Sequence, residues 1–290
     1  MRLCFDATRF GSGLDGAIEL ASSRGLSAVE YSFAPFATGK AAKGLDATEK
    51  KSLREVAQLS EEKGVDFACL NLDYCVDPDD KKSVKQFLLM ITKLAQVGEV
   101  LNCSRVAFNI TPGDGEHWLQ LAEDCLSSAS AALEKHGAKP LLRLSTPQEF
   151  RGVSLKKWRA MEPQDWRNLV SACPSLSLSF SPADCVWLGI DYLRVLSGVA
   201  SAIDHVEALD IEINRELLVD SGMYGPLWWR YRMPGKGQVD WGQLIEALKL
   251  YDFNGTISIH IDDEFVDDDY YELENALDTS IKKLAPLVRG

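Results

Sequence analysis

Short apolar runs alternate with longer amphipathic stretches along the whole chain, and this alternation limits the possible folds more than any single motif does. The runs Leu3–Phe5, Ser27–Tyr31, Asp66–Leu72, Arg105–Ile110, Pro140–Ser145, Ser175–Ser181, Ile203–Asp210 and Thr256–Asp262 read as strands. Between and after them, Leu14–Arg24, Thr48–Lys63, Lys81–Val97, Glu116–His136, Gln164–Cys173, Asp191–Ala200, Trp241–Tyr251 and Asp268–Val288 carry helical periodicity. Gly25, Gly64 and Gly137 stand where three of these helices should stop. Strand–helix units repeated in this way, with no Gly/Ser-rich linker, predict one α/β domain over residues 1–290, a (β/α)8 TIM barrel. An open doubly wound sheet is the rival architecture, but no GxGxxG turn follows the first strand.

One strand shows its two faces directly. In Ser175-Leu-Ser-Leu-Ser-Phe-Ser181 the apolar side chains Leu176, Leu178 and Phe180 share one face and the serines share the other. A barrel strand is covered outside by helices, so the serine face is expected to point inward. Ser181 then falls at the C-terminal end of the strand, the rim where barrel enzymes build their sites.

Composition excludes several function classes. With 43 acidic against 31 basic residues the formal net charge is −12, which repels a phosphate backbone, and nucleic acid is not an expected partner. No apolar run reaches the ~20 residues of a membrane helix. Met1–Asp6 reads as a strand rather than a secretory signal. The seven cysteines are odd in number and never in CxxC spacing, which suggests reduced buried thiols in a cytoplasmic protein.

Four segments carry a family likeness. Ser181-Pro-Ala-Asp-Cys-Val-Trp-Leu-Gly-Ile-Asp191 resembles the Asp-Pro-Ser-His-Leu-Val-Trp-x-Gly-Ile-Asp segment of the sugar phosphate isomerase/epimerase family, whose members are xylose-isomerase-like barrels. His205-Val-Glu-Ala-Leu-Asp210 is similar to its His-x-His-x-Lys-Asp strand. Tyr231-Arg-Met-Pro-Gly-Lys-Gly-Gln-Val-Asp-Trp241 resembles its Arg-x-Pro-Gly-x-Gly loop, and Ile257-Ser-Ile-His-Ile-Asp-Asp263 its eighth strand. Glu30, closing the second strand, fits as well.

The resemblance implies a small sugar or polyol substrate, proton transfer between neighbouring carbons, and one divalent metal (Mn, Mg or Zn) held by Glu, Asp, His and Glu. At those positions this chain has Leu144 or Ser145, then Ser181, Glu207 and His260, none of the expected type. Asp184 stands where the family has a second histidine, and Leu209 at its lysine. His and Glu have thus been exchanged between the last two strands. A rewired metal site of Asp184, Glu207 and His260, with oxygen from Glu149 or Asp262, is one expectation. Another is that inward-pointing Arg143 neutralises Glu207 in place of the ion, since a guanidinium stays charged and offers a bidentate fork.

Further expectations concern single residues. Glu207 and His260 are the candidate catalytic pair; Asp184, Arg232, Trp187, Arg143 and Ser181 are candidate substrate contacts. His205 is expected in a structural hydrogen bond, and His117 and His136 at the surface. Asp240 reads as a helix N-cap, and Asp267–Asp269 as a helix start. The tandem Trp228–Trp229 is a candidate sugar platform or homo-oligomer contact. The function expected is a sugar isomerase/epimerase-like enzyme of carbohydrate metabolism; the alternative is a catalytically silent barrel, a pseudoenzyme that binds a sugar-like ligand or a protein partner. Apurinic endonuclease chemistry needs a histidine-rich multi-zinc mouth, which four histidines do not supply.

Overall fold

The apolar and small polar faces of the strands sort themselves around a common axis. In the computed structural model, which describes residues 1–36, 44–113, 115–143, 162–223, 225 and 228–289, ten strands form. They are β1 (Arg2–Phe5), β2 (Ala28–Phe33), β3 (Asp66–Val76), β4 (Arg105–Ile110), β5 (Lys139–Arg143), β6 (Ser177–Phe180), β7 (Ile203–Ala208), β8 (Asp210–Ile213), β9 (Trp229–Arg232) and β10 (Thr256–Ile259). Eight of them pair in parallel in the order β1-β10-β7-β6-β5-β4-β3-β2. The remaining seam is closed by a parallel bridge between Asp6 and Glu30, with the Ala7 amide donating to the Glu30 carbonyl at 3.0 Å. The predicted TIM barrel is therefore the observed one.

Helices α1 (Gly13–Ser23), α2 (Ala47–Lys63), α3 (Lys81–Leu101), α4 (Gly115–Glu134), α5 (Pro163–Ala172), α7 (Tyr192–Val199), α9 (Trp241–Leu250) and α10 (Tyr270–Arg289) connect the strands, and the short α6 (Pro182–Trp187) and α8 (Arg215–Ser221) lie in loops. The main core lies between this jacket and the outward strand faces. In α3, Phe87, Ile91 and Leu94 recur at helical spacing and are fully buried in one cluster with Leu70 and Phe108. Burying a side chain of this size is worth about 1.5–3 kcal/mol. Local chemistry sets the ends: Asp46 and Glu49 form a capping box at the start of α2, and Gly64 closes that helix in the left-handed region at φ 64°.

Three differences from the expected boundaries matter for the site. Strand β6 ends at Phe180, because Ser181 turns its hydroxyl to the Asp184 amide (3.3 Å) and caps α6. The strand expected over Ile203–Asp210 stops at Ala208, and Asp210 opens an antiparallel hairpin, β8–β9, that the sequence pattern did not announce. The cause is Asp210 itself. Its buried carboxylate accepts from the amides of Ile211, Gly235 and Val239, each at 2.9 Å, and from Trp241 Nε1 at 3.2 Å. This folds the Pro234–Asp240 loop back over the strand end. A Cβ on Gly237 would sit 2.3 Å from both Asp210 Oδ1 and the Ile211 carbonyl oxygen, so only glycine fits there. The strand expected over Pro140–Ser145 is observed to Arg143; Leu144, Ser145 and Glu149 lie outside the described residues.

Candidate active site at the barrel mouth

Hydrogen bonds between strands that are not neighbours in the sheet must cross the barrel interior, and the C-terminal half of this interior is full of them. Arg143, last residue of β5, grips Glu207 of β7 with Nε to Oε1 at 2.9 Å and Nη2 to Oε2 at 2.8 Å. Ser179 of β6 adds its hydroxyl to the same Oε1 at 2.8 Å. From β7, His205 Nε2 reaches Glu30 Oε2 of β2 at 2.8 Å, and His260, just past β10, approaches that oxygen at 3.3 Å. Asn71 of β3 donates to the other oxygen of Glu30 and, at 3.1 Å, to Ser32. Asp6, at the end of β1, accepts from the Thr8 amide at 3.0 Å and from its hydroxyl, and its Oδ2 lies 4.0 Å from His260 Nδ1.

These residues share one cause. Alternate residues of a strand face inward, and the last inward position of each strand falls at the mouth. Asp6, Arg143, Glu207 and His260 stand at or just past that level; Glu30 lies one inward step below it, under Ser32 of the same strand, and Asn71 bonds both. Lower down the same faces carry small side chains: Cys4 packs with Ala28 and Ala68, and Cys69 with Ala107 and Leu141. Burial pushes the Cys4 and Cys69 thiols far above their usual range, so they act as core atoms rather than nucleophiles.

The electrostatics split the carboxyl groups. Burial raises the Glu207 carboxyl, but Arg143, aided by His260, outweighs it and holds the group at about 2. Burial likewise opposes charge on Glu30, yet His205 and His260 keep it well below the carboxylate range. Asp6 moves the other way: burial and the adjacent Glu30 charge raise it, and His260 and Thr8 only partly offset them. For His260 burial disfavours the imidazolium, while Glu30, Glu207 and Asp6 together lift it to about 10. Neighbouring carboxyls pushed apart in this way are the usual setting for an acid–base pair. Asp6 is also the more accessible, its side chain 19% exposed against 1% for Glu30. A cavity of about 580 Å³, lined by Thr8, Leu14, Tyr31, Ser32, Phe33 and Asp73 among others, meets this group through Thr8 and Ser32, the partners of Asp6 and Asn71; Asp6, Glu30 and His260 do not line it. That volume is in the range of small-molecule pockets.

The structure brings together Glu207, His260 and Arg143 of the sequence-derived set, and the arginine–carboxylate pair takes the form the Arg143 expectation described. His205 makes the hydrogen bond expected of it. The others go elsewhere. Asp184 is buried against the Tyr231 hydroxyl, Ser181 caps α6, and neither joins the Glu207–His260 group. Arg232 donates Nε to Asp263 at 3.0 Å and Nη1 to Glu212, with its guanidinium 4.8 Å from the Phe265 ring, so it ties the β8–β9 hairpin to the segment after β10. Trp187 stacks on Trp228 at 6.3 Å and meets Trp229 edge-on at 5.6 Å. Trp228 and Trp229 are buried in the chain's own small core with Leu209 and Ile211. Neither tryptophan of the tandem is thus an exposed sugar platform or oligomer contact. Asp240 caps α9 as expected, and Asp269 accepts the first amides of α10. His136, expected at the surface, is partly covered and meets exposed Glu99 at 2.7 Å.

Sequence reasoning missed Asp6 and Asn71 and gave Glu30 no role. The available signal was a polar residue interrupting or ending the apolar run of a barrel strand.

The polar constellation lies at the C-terminal rim, where (β/α)8 barrels place their sites. The profile of the family described as "Xylose isomerase-like TIM barrel" matches residues 18–286, and the chain belongs to that family. Among solved structures it is similar to the IolI protein with a bound zinc atom (TM-score 0.72, 18% identity, 99% of this chain and 98% of that one). It is also similar to the D-psicose 3-epimerase of Clostridium cellulolyticum H10 with D-tagatose (TM-score 0.69, 12% identity, 98% and 99%). The probable 3-DHS dehydratase AsbF of Bacillus anthracis superposes comparably (TM-score 0.71, 12% identity, 98% and 99%). A curated protein, the uncharacterized YfiH of Bacillus subtilis (strain 168), is 27% identical over 107 residues, which is 33% of this chain and 34% of that relative.

The likeness to a zinc-bound barrel raises the question of whether a divalent ion fits here. At the positions the resemblance assigns to the ion it does not. The Ser181 hydroxyl is a helix cap, both Glu207 oxygens are held by Arg143 and Ser179, and a fixed guanidinium cation stands beside them. One other group, Glu30, His205 and His260, brings its donor atoms within 4.8 Å of one another, an N2O set of the type zinc accepts. Both imidazole Nε2 atoms converge on one Glu30 oxygen, so an ion there would have to displace two of the three hydrogen bonds to this buried carboxylate.

Proposed function

We propose that this barrel is an isomerase- or epimerase-type enzyme that takes a proton from the carbon next to the carbonyl of a small keto- or aldo-sugar and returns it to that carbon or its neighbour. The observation that carries the reading is the divided Asp6–Glu30 pair, with His260 3.3 Å from Glu30 and 4.0 Å from Asp6. Asp6 is the carboxyl that takes a proton from the substrate carbon and returns it. His260 balances the charge as Asp6 changes state, and Glu30, locked by two imidazoles and Asn71, holds His260 in place. The family and the sugar epimerase neighbour support this substrate class. No helix among the described residues is long and apolar enough to cross a membrane. The seven cysteines, all free thiols, support a reducing, cytoplasmic setting.

Proton transfer is measured as deuterium entering the carbon next to the carbonyl of D-fructose, D-tagatose and D-erythrulose in heavy water, followed by NMR. Exchange that falls at least 100-fold in Asp6→Asn is the expected result. Absence of exchange from the whole set, with or without added Mn, Mg or Zn, leaves the silent sugar-binding barrel as the better reading. Loss of the family's ligand residues is the observation that favours that rival.

A further inference from the structure

Arg143 uses only part of its hydrogen-bonding capacity. Nε and Nη2 are committed to Glu207, whereas Nη1 bonds none of the described residues and is not among the buried unpartnered atoms. The side chain is 21% exposed, against 3% for Glu207, so the free edge of the guanidinium is the part open to the mouth. In the strand order, β5 and β1 lie four places apart in a ring of eight, on opposite walls. The mouth thus has two halves. One, on β1, β2 and β10, carries Asp6, Glu30 and His260; the other, on β5, β6 and β7, carries Arg143, Ser179 and Glu207.

We infer that Arg143 is the electrophile of this site: Nη1 receives the carbonyl oxygen of a keto or aldehydo substrate, in the place where relatives would use a metal ion. The inference rests on the proton-transfer reading above and names the substrate feature it requires, a free carbonyl. The step balances without a further reactant. Asp6 takes the proton from the carbon next to the carbonyl, and the C–H electron pair becomes the C=C bond of an enediolate. The carbonyl π pair moves to oxygen, where Nη1–H donates to the developing charge. The proton then returns to the same carbon as the electron pairs reverse; in isomerisation Asp6 delivers it instead to the former carbonyl carbon, while the hydroxyl proton of the neighbouring carbon passes to the former carbonyl oxygen and leaves the new carbonyl in its place. Glu207 acts as a positioning residue. It fixes the plane of the guanidinium through two parallel bonds and is itself fixed by Ser179. A guanidinium suits the task because it cannot lose its proton and brings no ligand-exchange chemistry.

The test uses D-erythrulose, a ketose too short to close a ring, and erythritol, its counterpart without the carbonyl. Calorimetry on chelator-treated protein should show erythrulose binding at least tenfold tighter than erythritol. Deuterium exchange should survive the chelator. Arg143→Met alone leaves Glu207 buried without its partner, so the double variant Arg143→Met/Glu207→Gln is the main probe, since it removes both charges together. In it the preference for erythrulose should collapse to about onefold and exchange should fall at least 100-fold; Arg143→Lys, which keeps a cation without the fork, should retain an intermediate preference. Exchange that is abolished by chelator and restored by Mn or Zn overturns the role of Arg143 and leaves proton transfer standing. An unchanged preference in the double variant overturns it equally. No exchange under any condition overturns both readings.

Discussion

Ion pairs close this barrel at both ends, and they are not alike. At the floor, where strands begin, Arg2 meets Asp66 at 2.9 Å and Arg105 meets Asp204 at 2.9 Å, each joining strands that are not sheet neighbours. Their side chains are 25–70% exposed, so water shares the stabilisation and little desolvation is needed. At the mouth, the Arg143–Glu207 ion pair and the His205–Glu30 hydrogen bond have similar lengths, but three of the four side chains are almost wholly buried. Burying such charges costs several kcal/mol per ion before the pairing returns it. A fold that needed only closure could use the floor pattern twice. The difference teaches that a buried network is held at the mouth at a desolvation cost the floor avoids, and that a single missing partner should cost far more at the mouth than at the floor.

The largest expected effect follows directly. Arg143→Met should destabilise the protein by about 3 kcal/mol in urea unfolding, because it strands a buried carboxylate among Glu30 and Asp6. Adding Glu207→Gln should recover most of that loss, giving a coupling energy above about 1 kcal/mol. Additive losses would place the pair with those of the floor.

Asp210 sharpens the comparison, since it is buried like the mouth carboxylates but lies outside their network. Its oxygens face three amides and an indole N–H, all fixed donors. Asp210→Asn turns an N–H toward these donors and should cost about 2–3 kcal/mol. It should leave erythrulose binding within about twofold unless the Pro234–Asp240 loop also shapes the pocket. A variant that loses binding while keeping its stability would show that this loop serves the ligand rather than the fold.

How much of this was legible beforehand follows from which signals are periodic. Strands and helices repeat along the chain, so the barrel and the inward serines of β6 could be read from spacing. Arg143 opposite Glu207 could be foreseen because alternation put both inward and a buried carboxylate demands a partner. The Glu30 centre was hidden, because its partners His205 and His260 lie 175 and 230 residues away, and no spacing announces a contact made across a barrel. The family likeness also drew attention to the strand-six segment, where Ser181 and Asp184 stand at motif positions. Proline at the start of α6 and the hydroxyl cap made that segment a helix turn, while Asp184 found a phenol. The Trp228–Trp229 pair reads as surface only if no hairpin is foreseen to bury it.

A third expectation concerns pH and separates the ends without substituting either pair. His260 is lifted from 6.5 to about 10 on folding, so it binds a proton in the folded state that the unfolded chain releases. Its stabilisation is complete below about 6.5 and is lost as pH rises toward 10, at up to about 1.4 kcal/mol per unit. Glu207, lowered from 4.5 to about 2, works at the acid end: its contribution is present above about 4.5 and fades as pH falls toward 2. Unfolding free energies of the parent and of His260→Gln between pH 6 and 9 measure the first effect. The parent's downward slope should flatten in the variant, and parallel curves would reject this account of His260.

The smallest effect belongs to the floor, and its smallness is the point. Arg105 and Asp204 make a two-pronged contact, Nε to Oδ2 at 2.9 Å and Nη2 to Oδ1 at 3.0 Å, with the same fork geometry as Arg143 and Glu207. Geometry alone would rank the two pairs together. Burial ranks them apart, because water can solvate Asp204 once the arginine is gone but has little access to Glu207. Arg105→Met should therefore cost less than about 1 kcal/mol, and half-molar salt should shrink the difference further. Erythrulose binding should stay unchanged. A loss at the floor as large as that at the mouth would mean that closure of the barrel, not preparation of a site, is what both ion pairs supply.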